Sequence, residues 1–190
     1  MYTMQIPELI QYFTPAIIVC YFLFSSIINA NYKGLVVVAG ICLTVAVCLL
    51  SSNLFKFTSP DRSDLCNLIS INRISGISKI PISIAIYTYV GGYLLYTIGV
   101  NSNVLPNVIP FVLYPFIILT DLAWISKNRC FTGNQMMASI IIGTCIGILW
   151  GVIINSTKNK SLQYLADGGG NSCLIPKHQT FKCKTKPPSA

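Results

Sequence analysis

Residues Gln135 to Asn155 read QMMASIIIGTCIGILWGVIIN. The run holds no Lys, Arg, Asp or Glu and is continuously apolar rather than alternating. About 20 such residues wound as an α-helix cross the ~30 Å hydrocarbon core of a bilayer. A barrel strand would instead alternate apolar and polar positions. Ser139, Gly143, Gly147 and Gly151 recur every fourth residue, so small side chains line one helix face. Such a stripe lets another helix approach closely. Two uses are open: packing within the protein's own bundle, or homodimerisation, which would make the chain a homo-oligomer.

Working outward, four more stretches have the same character: about Tyr12–Ala30, Gly34–Asn53, Ile80–Val100 and Pro106–Ile125. None contains Lys or Arg, and only the fourth contains an acid, Asp121. The expected fold is an all-α, multi-pass transmembrane bundle of about five spans over residues 1–155. A basic, Gly- and Pro-containing polar tail follows over 156–190. Composition agrees. Of the 190 residues, 53% are hydrophobic and 9% charged, against about 25% charged in a soluble domain. Too few charges remain to clothe a water-facing surface. This excludes a soluble enzyme, a disordered chain and an ordinary nucleic-acid-binding domain. The net charge of +8 is read as basic loops and a basic tail facing anionic lipid headgroups; no nucleic-acid partner is expected.

The leader Met1–Gln11 lacks Lys and Arg and carries Glu8, unlike the basic start of a signal peptide. Its Ile6–Ile10 stretch reads as a short interfacial segment. The fourth span carries Pro106, Pro110 and Pro115 and should be kinked. Trp124 and Trp150 lie near span ends, where indoles favour the interface. Asp121 is within about a turn of its span's end. An intramembrane acid is a functional candidate by default; a structural role, or reach to headgroup water, is the plainer reading.

Lys and Arg divide almost evenly: six on the face bearing the amino terminus, the Leu54–Lys79 loop and the Ser126–Asn134 loop, seven on the other. Charge counting therefore leaves orientation open. Of eight cysteines, Cys20, Cys42, Cys48 and Cys145 lie within spans and read as small apolar fillers. Cys66 and Cys130 share one face; Cys173 and Cys183 lie in the tail on the other. Opposite faces of a membrane rarely share an oxidising compartment, so at most one pair should be bridged. His178 lies midway between Cys173 and Cys183, but three ligands at that spacing fall short of a structural zinc site. No metal and no cofactor is expected.

Three segments on one face share a pattern. Ser59-Pro60-Asp61 is followed by Cys66, Gly76–Pro81 opens the third span, and Phe131-Thr132-Gly133-Asn134-Gln135 opens the fifth. Together, over about residues 35–154, the chain resembles the type 2 phosphatidic acid phosphatase superfamily. That resemblance implies a six-helix membrane fold with an extracytoplasmic site assembled from Lys-x6-Arg-Pro, Pro-Ser-Gly-His and Ser-Arg-x5-His-x3-Asp. It also implies a cytoplasmic end for the last helix, and so a cytoplasmic tail. By this register Ser52 and Ser59 stand where Lys and Arg belong. Pro81 and Phe131 stand at the two histidines, and Thr132 and Gln135 match the polyisoprenyl-pyrophosphatase branch. The nucleophile and the base are both missing, since the sole histidine is His178, so the resemblance implies a catalytically dead relative.

Three functions follow as expectations. The first is a non-catalytic structural protein, anchored in lipid and docking its tail lysines Lys177, Lys182, Lys184 and Lys186 on a protein layer or large assembly, such as a membrane-containing virus particle. The second is anionic-lipid binding, with Lys56, Arg62, Arg73, Lys79 and Arg129 as headgroup or phosphate contacts. The third is a lipid phosphatase with Asp61 or Asp121 as displaced nucleophile. The expected partners are membrane lipids and a protein contacting the tail.

Overall fold

The computed structural model describes residues 6–54, 79–101, 108–159 and 162–164. Among them are five helices and no strand: α1 (Ile6–Ile28), α2 (Lys33–Leu54), α3 (Ile82–Val100), α4 (Val108–Lys127) and α5 (Gly133–Ser156). By length and composition α2, α3 and α5 can cross a membrane, and Phe13–Ile28 of α1 is a shorter apolar helix.

The helix ends follow local chemistry. At the end of α1, the N–H groups of Ala30 and Asn31 donate to the carbonyls of Ile27 and Ser26 at 3.2 and 3.0 Å. At the end of α4, Arg129 and Cys130 donate to Ser126 and Ile125 at 3.2 and 3.1 Å. Both are Schellman closures, and Ala30 and Arg129 occupy the left-handed position at φ 46 and φ 52. Asn31 then accepts the Lys33 N–H through its Oδ1 at 3.2 Å, helping to open α2. Ile6–Ile10 forms the first turns of α1, and Pro7 is tolerated there because a missing N–H in the first turn costs nothing.

α3 is the centre of the bundle. It packs most extensively on α5, then on α2 and α4, and touches α1. Tyr87, Tyr89, Val90 and Tyr93 are all within 1% of complete burial. Burying so many polar atoms in an apolar surround demands internal partners. The Tyr89 hydroxyl donates to the Val37 carbonyl of α2 at 3.1 Å. Thr88 and Thr97 donate back to Ile84 and Tyr93 of their own helix, each at 2.8 Å. Gly40 of α2 makes room for Tyr89: a Cβ there would lie 1.8 Å from the tyrosine oxygen.

The small-residue stripe faces α3. Ser139, Gly143, Gly147 and Gly151 are buried. A Cβ at Gly147 would lie 2.3 Å from the Tyr89 carbonyl oxygen, and one at Gly143 2.5 Å from that of Ala85. Of the two uses read from the sequence, packing within the bundle is the one the stripe performs. The cysteine expectation is corrected: Cys48 is buried, but Cys20, Cys42 and Cys145 are exposed on the bundle's outside, where a thiol is apolar enough to face lipid. Both tryptophans are half-buried and pack on neighbouring helices. Trp150 Nε1 donates to the Val36 carbonyl at 3.0 Å, tying α5 to α2. Trp124 packs on the Ile84–Ile125–Cys130 cluster, and its buried Nε1 has no hydrogen-bond partner among the described residues.

Candidate functional site

Two polar clusters close the ends of α3. The first lies at its amino-terminal end and gathers residues far apart in sequence. Lys79 donates its backbone N–H to Ser52 Oγ at 2.6 Å, tying the end of α2 to the start of α3. Ser139 Oγ donates to the Pro81 carbonyl at 2.6 Å, seating α5 on the same point. Ser83 Oγ donates to Asp121 Oδ2 at 2.9 Å, which ties α3 to α4. Asp121 is 5% exposed, so of its two plain readings the structural one matches its position and reach to headgroup water does not.

The residues that carry the third phosphatase-like motif have local tasks. Gln135 Oε1 accepts the Thr132 N–H at 2.8 Å, part of a capping box that starts α5. Gln135 is fully buried. Phe131 packs beside Ile84, Ile125 and Cys130. Pro81, at the start of α3, and Phe131, at the start of α5, both lie at this pole. Of the phosphate candidates, Lys79 and Arg129 belong to this pole, half-buried and exposed respectively. Lys56, Arg62 and Arg73 lie outside the described residues, with Ser59, Pro60 and Asp61.

Cys130 is disulfide-bonded. Cys20, Cys42, Cys48 and Cys145 are free, so its partner lies outside the described residues, as do Cys66, Cys173 and Cys183.

The second cluster lies at the carboxy-terminal end of α3, and sequence reading missed it. Beyond α5 the chain folds back, and Gln163 is 5% exposed. Its Nε2 donates to Asn155 Oδ1 at 2.9 Å, and its Oε1 accepts from Asn101 Nδ2 at 3.0 Å. The clamp joins the ends of α3 and α5. Tyr164 follows. Its N–H donates to the Tyr93 hydroxyl at 3.2 Å, its ring meets Phe22 edge-on at 5.0 Å, and its hydroxyl lies 3.2 Å from Ser25 Oγ. Burial pushes that hydroxyl up to about 12. The available signal was Leu162–Leu165, an apolar and aromatic patch in a tail otherwise rich in lysine. The docking lysines Lys177, Lys182, Lys184 and Lys186, with His178, lie outside the described residues.

No family model, curated protein or solved structure matches this chain. The phosphatase resemblance is therefore carried by its quoted residues alone.

Proposed function

We propose that the chain is a five-span integral membrane protein with a structural, non-catalytic role, whose bundle anchors in lipid and whose tail docks on a protein layer. A membrane-containing virus particle is one such setting. The observation that carries the reading is the root of the tail. A segment that must hold a bundle against another layer transmits load best when fixed to the core rather than hung from a fraying helix end. Gln163 and Tyr164 fix it to α1, α3 and α5 at once. The local tasks of Thr132, Gln135 and Ser139 support the non-catalytic part, since helix capping and packing account for the residues that carry the resemblance. The disulfide at Cys130 supports the proposed orientation, with a cytoplasmic tail, because oxidised thiols persist in extracytoplasmic compartments. Cys66 on the same face is the proposed partner.

The test is crosslinking mass spectrometry in the native membrane or particle, aimed at Lys177–Lys186, beside a variant with the six tail lysines from Lys158 onward changed to Glu. Links to a second protein, lost in the variant while membrane insertion persists, are expected. Partner binding unchanged by the charge reversal would refute tail docking.

A further inference from the structure

Between α3, α4 and α5 lies a cavity of about 220 Å³ lined almost wholly by apolar atoms. Resting on the membrane reading above, we infer that it holds one hydrocarbon chain of a membrane lipid. Four observations converge on that occupant. The first is shape. The lining runs along α3 from Thr88 to Ile98, a rise of about 15 Å, which is the depth of one leaflet in a ~30 Å hydrocarbon core. The volume exceeds the ~150 Å³ of an apolar cavity that takes up benzene and is far short of a whole phospholipid. A single slender chain fits.

The second is the mouth. Leu95 and Pro115 line the cavity and are exposed, so it opens sideways onto the apolar flank of the bundle. The third is dryness. Thr88 is a polar residue in the wall, yet its hydroxyl donates to the Ile84 carbonyl. Water finds little to bind there, and an empty apolar space forfeits dispersion contacts.

The fourth is the glycine pair. Gly92 is required by packing, because a Cβ would lie 3.0 Å from the Thr144 carbonyl oxygen. Gly91 is not: a Cβ there would meet nothing within 4 Å among the described residues. Glycine inside a helix costs about 1 kcal/mol relative to alanine, and nothing in the packing compensates at 91. The missing side chain leaves space beside Thr88 and Leu94, which is what an occupant needs.

The experiment uses the full chain in phosphatidylcholine vesicles whose acyl chains carry a photoactivatable diazirine, with labelled residues mapped by mass spectrometry. Label is expected on Ile140, Thr144 and Ile118 of the cavity as well as on outward-facing Leu43 and Leu50 of α2. Gly91→Leu, and independently Ile118→Phe, should lower the cavity label about tenfold, as displacement of two buried methylenes predicts, with the α2 label unchanged. Label on α2 with none in the cavity overturns the inference while leaving the membrane reading intact. Cavity label that neither filling variant lowers also overturns it, as does a crosslink between two copies across the groove. No label on α2 or in the cavity overturns both.

Discussion

α3 meets α5 and α4 in opposite ways. Against α5 it presents carbonyls and peptide backbone to glycines, with no room for even a methyl group at 143 or 147. Against α4 it presents Gly91 to an open cavity, with larger side chains such as Tyr114 and Ile118 holding the helices apart. The first seam is specified by absence of volume and tolerates nothing; the second is specified by volume left unfilled and tolerates much. Close backbone approach gains dispersion from many atoms at once, and so it fixes register. A loose seam fixes less and leaves room for a guest.

The sharpest way to break this contrast is Gly147→Ile. Its side chain would enter the Tyr89 backbone, and a loss of about 3 kcal/mol is expected, read as a lower denaturant midpoint by helicity. An unchanged midpoint would mean that the α3–α5 seam is not tight. Next comes Tyr164→Ala, which asks whether the tight packing around α3 extends to the root of the tail. Losing its ring and hydroxyl contacts should cost about 2 kcal/mol locally, seen as faster proteolysis beyond α5 with bundle helicity unchanged. Tyr89→Phe removes the bond to Val37 and should cost about 1 kcal/mol, measured in the same unfolding titration.

Gly91→Ala sharpens the contrast from the other side. A methyl group entering open space should leave stability unchanged or raise it by up to about 1 kcal/mol, where any substitution at 147 lowers it. A further effect is alkaline. Tyr164 ionises near 10 when free and at about 12 in the fold. The unfolded segment therefore loses its proton first as pH rises. The stabilising contribution is complete below pH 10 and declines towards pH 12. Tail proteolysis should accelerate over that window in the parent and not in Tyr164→Phe.

Much of this was legible in the sequence. Uncharged runs such as Gln135–Asn155 announced helices within two residues of their bounds except at the start of α1, which begins at Ile6 rather than about Tyr12, because apolar length is a property of the run itself. The stripe at 139, 143, 147 and 151 announced a helix contact for the same reason, though not which helix. What was illegible depends on partners remote in sequence. Gln163 and Tyr164 look like tail until Asn101, Tyr93 and Phe22 are placed beside them. Thr132 and Gln135 read as motif remnants, whereas their capping geometry is local and was open to recognition as the pattern Thr-x2-Gln before an apolar run. The inter-helix contacts of Trp124 and Trp150 were likewise illegible, because they depend on Ile84 and Val36 in other helices.

The central position of α3 bears on how the chain is made. Among the described residues, α3 is the most buried of the three helices long and apolar enough to cross a membrane. Its tyrosines, threonines and glycines suit contact with other helices and suit lipid poorly. The glycine face that completes its environment is synthesised last, on α5. A nascent chain stopped before Gly133 would lack the glycines that lie against Thr88 and against the backbone of Ala85 and Tyr89.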